Sequence, residues 1–336
     1  MRNDHIEMIH GWIRKASRAP SAHNTQPAQW HIGGDDKIYL IENQNRHLKI
    51  ADSSKHDQYV ALGAAYEGLA IAASEEGYSI SQPQFDFDFP GQLHDGVRPY
   101  AVIHISGDAE CDPLASAVNN RVTYRGRFRK PENSATIAFL NWVEHQENLR
   151  VLQDSRDITS IAIHYDQCAL KFAKHSEYYK ELYSWLRFNN KHPNWNIDGL
   201  NADALCMSKI EQLFGQFVVH PKVFKFWKLI GLAKLFISEK NAILSAPFII
   251  VLTVDSNLTP FDTGRYFYRF WLELTLMGLL LCPMSALSDH PDGRKFIEQH
   301  WPTPSGKRLV NIFRAGVANG QVPLPAPRLS LGELLI

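Results

Sequence analysis

The sequence predicts an α+β fold with two pseudo-symmetric halves, each built from a mixed sheet flanked by helices. Two long apolar segments, residues 63–77 and 264–278, begin and end with glycine and have the same length. Runs with strand character lie on both sides of each segment. We therefore place a first half at residues 1–108 and a second at 109–336, related by an internal duplication. Two unrelated core helices with chance glycines would give the same spacing, so that alternative stays open.

Composition excludes several classes of protein. The 336 residues include 35 Lys and Arg against 35 Asp and Glu, so no overall charge draws the chain to nucleic acid. The four cysteines show no C-x-x-C spacing, which argues against a zinc site or a disulfide framework. Together with an N-terminus lacking an apolar signal segment, this predicts a cytoplasmic protein. The apolar run 270–287 contains Glu273 and Pro283, so a buried helix is favoured over a membrane span.

Hydrophobic periodicity predicts the elements of the first half. In order they are an amphipathic helix at 6–17, strands at 29–32 and 37–42, a buried helix at 59–74, an alternating strand at 85–89 and a strand at 100–106. The Gly-Gly-Asp-Asp sequence at 33–36 favours a hairpin turn. A polar segment at 108–113 is the predicted junction.

The second half predicts a strand at 246–255, a helix at 264–278 and a strand at 309–316. A long insertion, residues 150–245, separates the parts that match the first half. Its polar loop at 189–200 is interpreted either as a lid over a site or as a plain surface connection. Its segment 221–239 mixes lysines with large apolar residues. Such a helix either lies on a membrane surface or packs with its lysines toward solvent.

The most distinctive segment is residues 19–27, Ala-Pro-Ser-Ala-His-Asn-Thr-Gln-Pro. Pro20 and Pro27 fix φ and lack amide donors, which predicts a rigid polar loop. The other N–H groups and the side chains of Ser21 and Asn24 are expected to be free to face a planar polar ligand.

A second segment suits a phosphate. Arg121, Thr123 and Arg125 stand at alternate positions, so in an extended chain their side chains project to one side. Guanidinium groups donate paired hydrogen bonds to phosphate oxygens, and a hydroxyl adds another donor. An arginine-rich surface strand would show the same pattern, and the residues alone leave both interpretations open.

These segments carry a resemblance to the nitroreductase family. Residues 19–27 resemble its flavin-contacting loop, roughly A-P-S-x-x-N-x-Q-P-W, although Trp30 here follows Pro27 at a distance. Residues 121–125 resemble the family's R-x-S/T-x-R/K phosphate motif. The tail around Arg328 resembles the C-terminal segment of the family, in which a basic residue contacts that phosphate. Residues 46–78 resemble the corresponding segment of a subgroup whose members are fused double domains, the Acg-type NAD(P)H nitroreductases.

The resemblance implies a non-covalent FMN and its contact residues. Residues 283–286 match the turn that offers a backbone N–H to flavin N5, with Ser-Ala in place of Glu-Gly, so the backbone donor survives and a carboxylate role does not. No catalytic residue and no metal ligand is assigned. The predicted cofactor-binding residues are Pro20, Ser21, Ala22, Asn24, Gln26, Arg121, Thr123, Arg125, Pro283, Met284, Ser285, Ala286 and Arg328.

The implied activity is hydride transfer from NAD(P)H to FMN and on to a nitro compound, a quinone or a similar small acceptor. In the family the flavin lies between two subunits. Here the loop is in one half and the phosphate motif in the other, which predicts one composite site in a monomer that acts as an intramolecular pseudo-dimer. Alternatives are a non-catalytic FMN-binding or storage protein and a relative of the azoline flavin dehydrogenases.

Overall fold

The computed structural model describes residues 3–336. The first half of the chain forms a four-stranded sheet in the order β1-β2-β4-β3. Its elements are α1 (Asn3–Ala16), β1 (Ala28–Ile32), β2 (Lys37–Asn43), α2 (His56–Ser74), β3 (Ser79–Ile80) and β4 (Val97–Ser106). Both helices contribute to one hydrophobic core with β1, β2 and β4. Burial on nearly every side explains why α2 is apolar all round.

The second half forms another sheet, in the order β10-β11-β9-β6, with β5 paired to the end of β11. Before the insertion come β5 (Phe128–Arg129), α3 (Asn133–Glu144) and β6 (Leu149–Leu152). The insertion contains α4 (Ser155–Lys174), α5 (Ser176–Ser184), β7 (Leu186–Arg187), β8 (Leu200–Asn201), α6 (Lys209–Val218), α7 (Pro221–Leu229), α8 (Lys234–Ile237) and α9 (Lys240–Leu244). After it come β9 (Phe248–Asp255), α10 (Pro260–Leu276), β10 (Leu280–Pro283), α11 (Ser285–Asp289), α12 (Pro291–His300), β11 (Lys307–Ala318) and α13 (Leu331–Leu334).

The α+β class predicted from the sequence is confirmed, and the two sheets share one topology. Numbered along the chain within each sheet, the strands lie in the order first, second, fourth, third. A long helix, α2 or α10, follows the second strand in both cases. The pairings within both sheets are antiparallel rather than mixed. The reason is that the helix brings the chain back so that the third strand runs parallel to the second. The fourth strand then lies between the second and the third and is antiparallel to both.

The helices α2 and α10 pack against each other through their glycines. A Cβ added to Gly63 would lie 1.8 Å from the carbonyl oxygen of Phe261, and one added to Gly264 would lie 2.0 Å from that of Val60. Each glycine thus faces the carbonyl three residues before the other glycine. Such a reciprocal contact is the form that a twofold interface takes.

The tail crosses from the second half to the edge of the first sheet. The amide of Ile336 donates to the carbonyl of Trp30 at 2.9 Å, and Gln29 donates through its side chain to the carbonyl of Glu333 at 2.7 Å. These contacts hold the segment before them, including Arg328, beside the loop that precedes β1.

Some local expectations were wrong. The predicted strand at 85–89 is absent: Pro83 and Pro90 flank this segment, and its aromatic rings pack on Tyr39 and Tyr100 instead. The segment 221–239 is two helices, α7 and α8, because Gly231 adopts a left-handed φ of 78° between them. Within residues 3–336, no helix is both long and apolar enough to cross a membrane.

Candidate functional site

A cavity of about 530 Å³, partly open to solvent, lies where the two halves, the insertion and the tail meet. The cavity brings together these sequence-predicted residues: Pro20, Ser21, Asn24, Arg121, Thr123, Arg125 and Arg328. Gly199, Leu200 and Ala204 of the insertion form another part of its wall.

Arg121 is the buried centre of the basic wall. Its side chain is 5% exposed, and its guanidinium lies 4.8 Å from the ring centroid of Trp271. One nitrogen, Nη2, donates to the carbonyl of Arg18 at 2.9 Å. The other two, Nε and Nη1, are buried and make no hydrogen bond of good geometry within residues 3–336, although the hydroxyl of Tyr268 lies beside the guanidinium. Leaving charged donors unsatisfied in this way is costly, and a bound anion would supply the acceptor that these two nitrogens need.

Three arginines crowd together beside this cavity without a negative charge. Burial lowers the pKa of Arg121 to about 10, and the positive charge of Arg18 contributes to that shift. Burial also lowers the pKa of Arg328 far below its ordinary value, with Arg121 and Arg18 adding to the effect. Across residues 3–336, no carboxylate forms an ion pair with any of the three. A bound anion would relieve their mutual repulsion, although Arg328 already donates to the backbone carbonyls of Ser17 and Arg18.

The sequence analysis missed Arg18, which stands immediately before the loop at 19–27. It also missed Arg314, which is 1% exposed in the middle of β11. Arg314 donates to the carbonyls of Arg125 and Gly126 at 3.0 and 3.3 Å and pairs with Glu239 at 2.9 Å. It therefore fixes the backbone of the arginine segment. A lone charged residue within an apolar strand was the available signal.

The loop at 19–27 is rigid for a different reason from the one expected. Three of its non-glycine residues, His23, Asn24 and Gln26, adopt left-handed φ values of 51°, 56° and 53°. Such conformations are uncommon outside glycine and persist where surrounding contacts impose them. Ser21 contributes one of those contacts, because its Oγ accepts the amide of Gln26 at 2.9 Å. Its hydroxyl proton remains available for donation into the cavity.

The expectation of a free Asn24 side chain was wrong. Its Nδ2 donates to the carbonyl of Pro327 at 3.0 Å, and its Oδ1 accepts from Arg328 at 2.8 Å. Asn24 thereby holds Arg328 at the cavity and orients it. Any contact of Asn24 with a ligand would have to compete with these bonds.

Gln26 joins the loop to both the insertion and the tail. Its Nε2 donates to the carbonyl of Ile197 at 2.8 Å, and its Oε1 accepts the amide of Leu329 at 2.9 Å. It lines a second, mainly apolar cavity of about 300 Å³ behind the loop rather than the basic one. Ala22 begins the 3₁₀ turn of the loop and lines neither cavity.

The polar loop at 189–200 ends on the candidate site. Asp198, which is buried, accepts from Arg187 at 2.8 Å and from Arg46 at 3.1 Å. Arg46 also donates to the carbonyl of Thr25 in the first half. This network holds the insertion against the loop at 19–27. The polar loop at 189–200 is therefore in contact with the candidate site and is not a surface connection remote from it.

Residues 283–286 do not line the basic cavity. Met284 is fully buried in the core of the second half, and its amide donates to the carbonyl of Ile312 at 2.7 Å. Ser285 begins α11 and its Oγ accepts from Asn311. The segment nevertheless follows β10, which runs beside the arginine segment through the pairing of Thr123 with Leu281.

His23 predicts a pH dependence of stability. Burial, together with the charge of Arg125, lowers the pKa of His23 to about 4. The folded state therefore holds His23 neutral, and this contribution is complete above the ordinary pKa of about 6.5 and is lost as the pH falls toward 4. We expect the difference in unfolding free energy between wild type and His23→Asn to change by roughly 2–3 kcal/mol across that range.

Denaturant unfolding at a series of pH values measures this difference. Asparagine accepts the left-handed backbone at this position, so the variant changes the ring and little else. The exposed His145→Asn variant is the matched control. A difference between wild type and His23→Asn that stays constant with pH would contradict the expectation.

Comparisons with known proteins give remote similarities only. No family model matches the chain. Two uncharacterized proteins, from Mycobacterium tuberculosis strains H37Rv and CDC 1551, are each 23% identical to it over 349 residues, covering 98% of this chain and 92% of theirs.

Solved structures similar to the chain include several flavoproteins. One is an iodotyrosine deiodinase bound to FMN and 3-iodo-L-tyrosine, with 16% identity, a TM-score of 0.34, and coverage of 65% of this chain and 94% of its own. Another is an FMN-dependent nitroreductase from Mycobacterium smegmatis in complex with NADPH, with 15% identity, a TM-score of 0.34, and coverage of 66% and 96%. A Bacteroides fragilis nitroreductase with bound FMN has 13% identity, a TM-score of 0.32, and coverage of 63% and 91%. These similarities are remote, and none assigns a ligand to this chain.

Proposed function

We propose that this chain is an FMN-dependent oxidoreductase of the nitroreductase type, related to its fused double-domain subgroup. The observation that carries the proposal is the basic cavity: within residues 3–336, two donors of buried Arg121 have no hydrogen-bond partner and no carboxylate pairs with Arg18, Arg121 or Arg328. The proposed phosphate ligands are Arg121, Thr123, Arg125 and Arg328, with Arg18 as an additional cation.

The remaining residues of the site have positioning roles in this proposal. Asn24 and Gln26 hold the tail and the insertion against the loop, and Arg314 holds the backbone of Arg125. Ser21 keeps a hydroxyl donor at the cavity. Bound FMN would accept hydride from NAD(P)H and pass electrons to a small acceptor such as a nitro compound or a quinone, while the protein orients the reactants. We assign the backbone amides of Ser285 and Ala286 to the ring side of the site, because Pro283 has no amide donor and the Met284 amide already donates to Ile312.

The two halves take the place of two subunits in this proposal. The boundary lies near residue 108, and the insertion at about 150–245 acts as a lid. The shared sheet topology and the reciprocal contact of Gly63 and Gly264 support a duplicated, fused dimer. One loop and one arginine segment then give one FMN per polypeptide in a monomer. We assign the protein to the cytoplasm, where its free cysteines would stay reduced.

The cofactor itself gives the direct test. We expect the purified protein to be yellow, to release FMN on acid treatment, and to bind one FMN per chain on titration. Anaerobic mixing with NADH or NADPH should bleach the visible flavin band. FAD in the released fraction, or a colourless protein that binds no added flavin, would refute the proposal.

A second outcome separates the enzyme from an FMN-binding or storage protein. The insertion closes part of the cavity wall through Gly199 and Leu200, which is the observation that favours storage. In a storage protein FMN would be bound, dithionite would bleach it, and neither dinucleotide would.

Arg121 supplies the sharpest prediction for the site. Arg121→Met keeps most of the side-chain volume and removes the charge and its donors. A hydrogen bond to a charged group contributes about 1.5–3 kcal/mol, so FMN affinity should fall roughly 10- to 150-fold. Isothermal titration with FMN measures this, and riboflavin, which lacks the phosphate, should lose far less.

Arg127→Met is the matched control. Arg127 belongs to the same segment but is exposed and does not line the cavity. We expect this variant to bind FMN as wild type does. Equal losses in both variants would indicate a general charge effect and would move the phosphate grip elsewhere.

A further inference from the structure

Three helices of the insertion expose apolar faces instead of burying them. On α6 the residues Ile210, Leu213, Phe214 and Phe217 follow the i, i+3, i+4, i+7 spacing of one helix face, and all are exposed. Ile210 is 72% exposed and Phe217 is 69% exposed. The apolar face of α6, which in most helices packs against a core, is therefore exposed to solvent.

The next two helices continue this surface. Phe226, Leu229 and Ile230 at the end of α7 are exposed, as are Leu235 and Phe236 on α8. We call the exposed apolar residues of α6, α7 and α8 the apolar platform. Isolated exposed apolar residues are ordinary, whereas a continuous series on consecutive helices marks an interaction surface.

The platform is anchored from behind, so its exposure is not a sign of an unfolded segment. Phe224 is fully buried and stacks on Tyr179 with ring centroids 4.0 Å apart. Trp227 donates its indole N–H to the carbonyl of Val218 at 3.0 Å, which ties α7 to α6. A capping box of Ser208 and Glu211 begins α6. These contacts hold the helices in place with their apolar residues outward.

The charge around the platform is strongly positive. Residues 209–237 contain five lysines against a single acidic residue, Glu211, in a chain of zero net charge. The lysines at 209, 222, 225 and 234 are exposed, and within residues 3–336 none of them forms an ion pair. Large apolar residues bordered by unpaired lysines on short helices are the pattern of segments that lie in the headgroup region of an anionic bilayer.

A second copy of the chain is the less favourable occupant. In an isologous contact the same patch meets itself, which would bring the lysines of one copy against those of the other. An anionic lipid surface instead neutralises them while burying the aromatic residues. We propose that the apolar platform docks this protein peripherally on membranes that contain anionic lipids, without spanning them.

The cavity wall and the apolar platform are neighbours along the chain. Ala204 of the cavity wall precedes the first residue of α6, Lys209, by five positions. The surface that binds lipid and the wall of the site thus belong to one segment of the insertion.

Vesicle flotation tests the proposal with the full chain. Wild type should float with vesicles of phosphatidylcholine and phosphatidylglycerol, and far less with phosphatidylcholine alone. Leu213→Ser/Phe217→Ser should abolish flotation, because it removes exposed apolar contacts. Lys222→Gln/Lys225→Gln should weaken binding about 30-fold, from the typical contribution of each lysine near an anionic surface. Added salt should weaken the wild type more than the lysine variant, which keeps three of the five lysines in residues 209–237.

Matched controls replace similar residues outside the platform. Ile137 on α3 is 59% exposed and Lys295 on α12 is exposed, so Ile137→Ser and Lys295→Gln should float as wild type does. Wild type that stays with the unbound fraction would overturn the proposal, as would platform variants that float normally. If wild type does not float but is a dimer, and the double variant Leu213→Ser/Phe217→Ser is a monomer, a second copy of the chain is the occupant of the platform. We expect all of these variants to keep the FMN content of wild type. A failure of the membrane proposal is therefore distinguishable from a failure of the FMN proposal.

Discussion

Replacing Gly63 with alanine should destabilise the protein by more than about 3 kcal/mol, the upper end of typical overpacking costs. The added Cβ would lie 1.8 Å from the carbonyl oxygen of Phe261. This obstacle is backbone, so no side-chain rotation relieves it, and α2 and α10 would have to move apart. Urea unfolding followed by circular dichroism measures the loss.

Gly264→Ala should have a similar effect, because its Cβ would lie 2.0 Å from the carbonyl oxygen of Val60. Both glycines serve one helix crossing, so the double variant should lose less than the sum of the single ones: once the helices have separated, the second methyl group meets less resistance. Additive losses would show that the two contacts are independent and would weaken the fused-dimer proposal.

Gly11→Ala is the control for the glycine series. Gly11 also lies within a helix, α1, but a Cβ there would meet no atom of residues 3–336 within 4 Å outside its own helix backbone. Alanine costs less backbone entropy than glycine in a helix, so this variant should gain roughly 0.5–1 kcal/mol. A similar loss of stability at Gly11 and Gly63 would mean that close approach is not the cause.

Asp198→Ala should cost about 3–5 kcal/mol, the typical result of removing one partner from a buried ion pair. Arg187 is buried and Arg46 is largely so, and both donate to this carboxylate. The change would leave two guanidinium groups without their counter-ion at the point where the insertion meets the loop at 19–27. We therefore expect proteolysis to cut residues 189–200 much faster, along with a lower midpoint in urea.

Asp203→Ala separates the ion pair from a general effect on the insertion. Asp203 lies in the same insertion but is exposed, and its carboxylate accepts a hydrogen bond from the side chain of Gln212 at 3.3 Å. Its replacement should leave cleavage and stability near those of wild type. Asp198→Ala behaving like Asp203→Ala would show that the buried pair does not hold the insertion.

The sequence was informative where chemistry is local. Matched glycines predicted the two long buried helices, and alternate arginines predicted a basic surface that now lines a cavity. Strand prediction failed at 85–89, where aromatic alternation resembles a strand but the flanking prolines remove ladder donors. Local pattern also could not show that α6 turns its apolar face outward, because burial depends on what packs against a helix.

The partners of the loop residues were beyond sequence reasoning for a related reason. Gln26 bonds to Ile197 and Leu329, which are 171 and 303 positions away in the chain. Asn24 was expected to be free because its own segment contains no partner for it, and the tail supplies one. Arg18 stands directly before the loop at 19–27, and Arg314 is a charged residue within an apolar strand. Their contacts, however, depend on the same long-range packing.

The order of the cavity walls along the chain has a consequence for biosynthesis. Residues 20–24, 121–125, 199–204 and 323–328 all contribute to the cavity, so a ribosome must synthesise the chain through residue 328 before the cavity exists. Likewise α2 emerges about two hundred residues before α10, the helix that covers its glycine face. The glycine face of α2 therefore stays uncovered by α10 until residues 260–276 have been synthesised.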